Sequence, residues 1–432
     1  MSRRQRLTAL GACLILVGLN LRTVFSSFSA ILADVQRAAA VPAWAVTALT
    51  TAPVACLGIF APLAPPLARR FGAERVLLAA MGVLTLGLLV RPTTFPGWGA
   101  LPSLLVGTAA CGFAIALGNV LLPGLVKRDF PHLLGLMSGL YTTAIVASAA
   151  LAAGFTYPLL QATGSWQLAL GAWAVPAAVV ALVFAPLAWN GREPLHTASG
   201  RGPRLARDPV AWHVTLFMVA QAMMSFSVFA WLAPILRERG VDGATAGLLT
   251  SFSIILQMAG SLVAPALAAR LRRQSIVNGV AALLTGSGFA LCIVGPLGGI
   301  WVWAAMLGLG QGSLTALALT MAMLRTHDAG TAARLSGMMQ GFGYGLGSTG
   351  TLLVAQLRAV TGSFTAVAVL FAGVGCFAAV FGALSGRRRY VGAREREPVT
   401  DRVPSERSPA ERSRPAPGGS REGAPGTPAR DG

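Results

Sequence analysis

Charge is what this chain has least of, and negative charge above all. Of 432 residues only 15 are Asp or Glu, and each falls between the long apolar runs or at their ends. With 11% charged and 54% hydrophobic residues and a mean hydropathy of +0.66, an ordinary soluble domain is excluded. The five cysteines, Cys13, Cys56, Cys111, Cys292 and Cys376, form no CxxC pair and read as small buried hydrophobes. Neither a disulfide framework nor a metal site follows from them. His132, His196, His213 and His327 sit at or near one membrane face without ligand spacing, so metal catalysis has no support. No G-x-x-x-x-G-K-[ST] occurs, so ATP does not drive this protein by that route. The G-x-G-x-x-G at Gly345, Gly347 and Gly350 lies inside an apolar run with no strand before it, and reads as close helix packing rather than a dinucleotide loop. The apolar runs hold no Ser with His and no paired acids at one depth. An enzyme is not expected, and no cofactor is implied.

What is abundant is apolar sequence in lengths that span a bilayer. Twelve runs are read, roughly residues 7–33, 43–68, 76–90, 99–126, 133–160, 166–188, 211–236, 244–269, 275–294, 297–324, 332–357 and 363–386. They are continuous rather than alternating, which predicts helices and not barrel strands. The first is about twice the length of a signal-peptide core and carries Arg22, so it is read as a retained helix. Outside the runs, Lys and Arg crowd the loops that share a side with the N-terminus, while Arg37, Arg91, Arg237, Arg239 and Arg358 fall on the other. The positive-inside bias then places both termini in the cytoplasm of a multi-pass protein of the cell membrane. Most of the +19 net charge lies in those inner loops, where it serves topology and anionic lipid rather than nucleic acid.

The longest polar connection, 189–210, separates an N-terminal half, 1–188, from a C-terminal half, 211–386. Residues 387–432, rich in Pro, Gly, Ser and charge, are expected to be a disordered cytoplasmic tail. The halves resemble one another. LAPPLARRFGAERV at 63–76 lies over VAPALAARLRRQSI at 263–276, Gly118 with Asn119 over Gly310 with Gln311, Lys127 over Arg325, and Ser138 with Gly139 over Ser336 with Gly337. Their common order predicts two duplicated six-helix halves with a site between them near mid-membrane.

The loop with Pro65, Arg69, Arg70, Phe71, Gly72 and Arg75 resembles a degenerate form of the loop signature of the major facilitator superfamily. That signature usually has Gly where Pro65 stands and Asp where Arg69 stands. LNLRT at 19–23, LTTAPVACLGIFAPLAPPLARRFGAER at 49–75 and LVKRDFPHLLGLMSGLYTTA at 125–144 resemble the cyanate and 2-nitroimidazole permease branch of that superfamily. The resemblance implies a twelve-helix all-α fold with pseudo-twofold halves. It also implies transport of a small anionic or polar solute, without nucleic-acid partner, in a bilayer, and the chain is expected to act as a monomer. Helices 1, 4, 7 and 10 would line the central cavity, with 2, 5, 8 and 11 at its sides. Arg69, Arg70, Gly72 and Arg75 would form the conformational loop.

Arg22 is the residue these readings must explain. It stands mid-run with no carboxylate at its depth, where an unpaired arginine costs roughly 3 kcal/mol on insertion scales. One reading makes it the docking cation for a transported anion, and the other has it tie neighbouring helices through their backbone. At helical spacing Ser26 and Ser29 share its row, while Asn20, Thr23 and Ser27 form another. Asn20 is thus either interhelical glue or a co-ligand. Asn119, Gln221 and Gln311 join Arg22 in the first helix group, and Tyr141, Gln257, Gln340 and Tyr344 fall in the second. Any one amide serves packing as well as binding. Trp44 and Trp231 are read as interfacial anchors. Asp34, at the outer end of helix 1, is the coupling candidate. The rival function is a multidrug exporter of the same fold, which would need no charge partner for an anion.

Overall fold

The acids kept out of the apolar runs reappear as helix starts. In the computed structural model, which describes residues 3–94, 99–189, 204–271 and 273–392, Asp208, Asp242 and Asp328 each occupy an N-cap. Asp208 accepts from the amides of Val210 and Ala211, Asp242 from that of Thr245, and Asp328 from the amide and hydroxyl of Thr331. A carboxylate at that position satisfies amides that the helix leaves free and opposes the positive end of its dipole. The expected linker is largely outside the described residues, as is the tail beyond 392.

All regular structure among the described residues is helical. Span 1 comprises Arg3–Gly18 and Thr23–Ala30, with the short Leu32–Ala38 beyond it. Span 2 comprises Ala43–Phe60 and Ala64–Phe71, span 3 is Ala73–Val90, span 4 is Leu101–Asp129, span 5 is Leu134–Thr163, and span 6 comprises Trp166–Gly171 and Ala174–Trp189. Span 7 is Pro209–Glu238, span 8 is Gly243–Arg270, span 9 is Gln274–Val294, span 10 is Ile300–Leu324, span 11 comprises Ala329–Gly347 and Thr349–Thr361, and span 12 is Thr365–Ser385. Eleven of these, all but span 11, are long and apolar enough to cross a membrane by themselves. Span 11 carries Arg334, Gln340 and a dense set of glycines.

Four of the expected single runs are divided: the first by a turn at Leu19–Arg22, the second by Ala61–Leu63, the sixth at 172–173 and the eleventh at Ser348. The breaks in the first and eleventh carry no proline, the usual signal.

The duplication is visible in backbone detail. Thr163-Gly164-Ser165 ends span 5 and Thr361-Gly362-Ser363 ends span 11, with the glycines at φ 64° and 69°. This left-handed cap is cheap only for a residue without Cβ. In both copies the threonine hydroxyl donates to the carbonyl four residues back, Leu159 at 2.7 Å and Leu357 at 2.6 Å. Burial follows the repeat: 72% of the apolar core of span 4 and 61% of that of span 10 are covered, with 56% for spans 1 and 7, against 33–50% for spans 2, 3, 5, 6, 8, 9 and 12.

Spans 5 and 8 join the halves by close backbone approach. A Cβ on Gly139 would lie 2.5 Å from the Leu262 carbonyl oxygen, so only glycine permits this crossing.

Candidate substrate site

The break in span 1 builds the site. Gly18 packs against the Tyr141 carbonyl, where a Cβ would come within 2.9 Å. After it the chain makes a tight turn, with Asn20 N–H donating to Val17 O at 2.9 Å and Leu21 N–H to Gly18 O at 3.2 Å. Backbone groups freed in the membrane interior must find partners inside the protein. Here the Arg22 amide donates to Ser148 Oγ of span 5 at 3.2 Å, Thr23 Oγ1 donates to Asn20 O at 2.9 Å, and Asn20 Nδ2 donates to Leu16 O at 2.9 Å. Asn20 therefore serves its own helix, while its Oδ1 stays buried without a partner among the described residues.

Arg22 is partly buried and its guanidinium crosses to the other half. It lies 5.8 Å from the Phe229 ring centroid of span 7 and interacts with the Tyr344 phenol of span 11. None of the ion pairs among the described residues includes it. Tyr344 packs on Phe226 at 5.9 Å and neighbours Tyr141, so residues of spans 1, 5, 7 and 11 meet around one cation. Aromatic faces and a phenol attract a cation without neutralising it.

Deeper toward the Lys/Arg-rich ends of the spans, hereafter the basic face, two further groups converge. Gln221 Nε2 donates to Thr315 Oγ1 at 2.8 Å, and Thr315 Oγ1 to Gln311 O at 2.9 Å. Gln221 Oε1 and both amide atoms of Gln311 have no partner among the described residues. Gln340 Nε2 donates to Asn119 O at 3.0 Å across the halves. Gln257 is buried with its backbone tight against Gly312. Asp34 lies apart, in an ion pair with Arg37 at 2.7 Å near the opposite face.

Between this cluster and the basic face, hydrogen bonds tie the halves together. Ser138 and Thr320 hydroxyls meet at 2.5 Å, Thr143 and Ser261 at 2.8 Å, and Thr142 Oγ1 donates to Ser261 O at 3.3 Å. Lys127, the only lysine in the chain, donates to the Met323 and Thr326 carbonyls at the end of span 10 and to Thr326 Oγ1. An ammonium suits the negative end of a helix. Its neighbour Arg128 stays in the N-terminal half, bonded to Glu74 at 2.5 Å and Asp129 at 2.6 Å. Arg325, the repeat partner of Lys127, turns inward and donates to Gly386 O at 3.2 Å; burial lowers its pKa to about 10, so it remains a cation at neutral pH. In the 2–3 loop, Arg69, Arg70 and Arg75 are exposed around Gly72 at φ 89°, and Arg69 faces the like charge of Arg334 on span 11.

Sequence reasoning missed Arg91, Lys127, Ser148 and Phe229 as parts of this arrangement. The sequence places Arg91 in an outer loop, yet it is 1% exposed. Its place just past an apolar run looks like a loop, and the glycine at 107 that makes room for it is not legible as a partner.

The family model described as Major Facilitator Superfamily matches residues 10–348. The chain belongs to this superfamily. It is a multi-pass membrane transporter of small solutes, not an enzyme. Among its relatives are the uncharacterized transporter YycB of Bacillus subtilis, 34% identical over 89% of this chain and 95% of that one, and the 2-nitroimidazole transporter of Escherichia coli, 31% identical over 88% and 96%. The cyanate transport protein CynX of Escherichia coli is 28% identical over 81% and 90%. Solved superfamily members share the fold: the proton:xylose symporter XylE has a TM-score of 0.69 at 13% identity, covering 89% of this chain and 95% of its own, and FucP 0.69 at 12%, covering 88% and 100%. The branch expected from LNLRT and its companion segments thus agrees with the relatives found.

Proposed function

We propose that this transporter carries a small anion, or a small polar solute with a negative fork such as a nitro group, by alternating access, and that Arg22 is its docking point. One observation carries the reading: a guanidinium within the bundle faces the opposite half with ring and phenol partners and no carboxylate among the described residues. A fixed cation without a fixed counter-ion is completed by a mobile one. The relatives named for cyanate and 2-nitroimidazole fit this chemistry.

Tyr344 and Tyr141 flank the anion, while Gln221 and Gln311, with Gln257, Asn119, Gln340 and Asn20 around them, supply polar contacts below it. The halves 1–188 and 211–386 rock about this point, joined by 189–210. Hydrogen bonds between them at mid-depth and toward the basic face support a state closed on that side. The positive-inside rule puts the basic face, both termini and the tail in the cytoplasm of a cell-membrane protein. Asp34, paired with Arg37, is the one coupling candidate.

A thermal-shift screen of the purified protein against sodium salts of cyanate, nitrite, nitrate, formate and acetate, matched in ionic strength with chloride, tests the assignment. A ligand bound only by the folded state at a hundredfold excess over its Kd stabilises by about 2.7 kcal/mol. At least one of these anions should raise the melting temperature of the wild type and not of Arg22→Ala. Stabilisation by hydrophobic cationic dyes alone would favour the multidrug reading instead.

A further inference from the structure

Arg91 is among the largest fully buried side chains of the protein, at 1% exposure. Its guanidinium lies 4.6 Å from the Phe28 ring centroid, and Nη1 donates to Val24 O at 3.1 Å. Nε and Nη2 have no partner among the described residues, and none of the ion pairs there includes it. Span 4 makes way for it: a Cβ on Gly107 would lie 2.8 Å from the Arg91 Cα.

Both contacts fall on the eight-residue segment Thr23–Ala30, whose N-cap is Arg22. That segment is flanked by non-helical residues, Arg22 at φ −122° and Ile31 at φ −123°. Two turns of helix do not hold themselves, since nucleation is costly and isolated helices this short are marginal. Val24 and Phe28, four residues apart, share one face, which lies about 120–160° around the helix from Arg22. Arg91 therefore grips the back of the segment whose front edge bears Arg22. A buried charge costs several kcal/mol in desolvation, and an apolar side chain of equal size would fill the slot without that cost. Positive charge at this place has an effect that packing does not: it holds a carbonyl and a ring.

We propose that Arg91 is a positioning residue, which anchors Thr23–Ala30 from behind and turns Arg22 toward the C-terminal half. The proposal rests on the reading of Arg22 as the anion dock for its functional meaning, but its geometry can be read without any substrate.

The test uses spin labels at Ser29→Cys and Leu168→Cys in full-length protein carrying Cys376→Ser, with the distance distribution read by pulsed electron resonance. Both sites are exposed and both lie in spans 1–6, so rocking of the halves does not enter. The expected result is one narrow distribution with Arg91 intact, at least a doubling of its width in Arg91→Met, and recovery in Arg91→Lys. Phe28→Leu, a milder change that removes only the ring seat, should broaden it less, and keeps the test available should Arg91→Met not fold. An unchanged distribution in Arg91→Met, or in Phe28→Leu where that variant stands alone, overturns the proposal. Binding of cyanate and nitrite by thermal shift, run on the same variants and on Arg22→Ala, separates the two ideas. Broadening with no anion effect in Arg22→Ala keeps Arg91 as anchor and removes the dock. Lost anion binding in Arg22→Ala beside an unbroadened Arg91→Met does the reverse.

Discussion

Arg22 was legible because it interrupts an apolar run, and charge in such a run announces itself. Tyr344 was legible as a member of the same site but not as its contact, and Phe229 not at all, because they come from spans 11 and 7 and meet it only in three dimensions. Arg91 shows the opposite failure: it stands where loop charges stand, and only the packing of Phe28, Val24 and Gly107 around it reveals burial. If the Tyr344 phenol steadies the guanidinium, Tyr344→Phe removes one hydrogen-bonding group. A net effect of about 0.5–1.5 kcal/mol converts to a rise in anion Kd of roughly two- to twelvefold, with folding intact. Equilibrium binding to the detergent-solubilised variant measures it. Arg22→Lys keeps the charge and loses the fork, so its Kd should fall between those of wild type and Arg22→Ala.

Helix identity was readable from run length, but helix continuity was not. Hydropathy does not register a four-residue turn at Leu19–Arg22 when Ser148, Thr23 and Asn20 satisfy its backbone internally. The row of Asn20, Thr23 and Ser27 crosses this turn and that of Arg22, Ser26 and Ser29 starts from its last residue, yet the first row is buried and the second is not. The end of span 4 carries a second lesson. The loop signature drew attention to Arg69, yet the cross-half bonds run from Lys127 to the last turn of span 10. Removing a charged hydrogen-bond donor is worth about 1.5–3 kcal/mol, enough to shift a two-state equilibrium on the order of tenfold or more. Lys127→Met should accordingly raise the rate at which a small thiol reagent labels Ser138→Cys, a fully buried position facing Thr320. Gly139→Leu should act the same way by forcing spans 5 and 8 apart. Unchanged labelling in both would deny that these contacts close the basic face.

The duplicated architecture was the most legible feature, because each half must bury the same faces and cap the same turns. Matching Thr-Gly-Ser ends on spans 5 and 11, and the heavier burial of spans 1, 4, 7 and 10, express that repeat in structure. Orientation rests on charge alone. In a Cys376→Ser background, an impermeant maleimide added to intact cells should label Leu168→Cys, on the face opposite the basic one, and should reach Leu133→Cys only after permeabilisation. Both positions are exposed, at 60% and 50%.

The most direct measurement is uptake of an isotopically labelled anion, chosen by the thermal-shift screen, into proteoliposomes holding wild type or Arg22→Ala at equal density. If an unneutralised guanidinium between the halves docks the cargo, Arg22→Ala should lose at least nine-tenths of the flux at subsaturating anion while keeping a folded, monodisperse protein. Flux near the wild-type level in that folded variant would contradict the account.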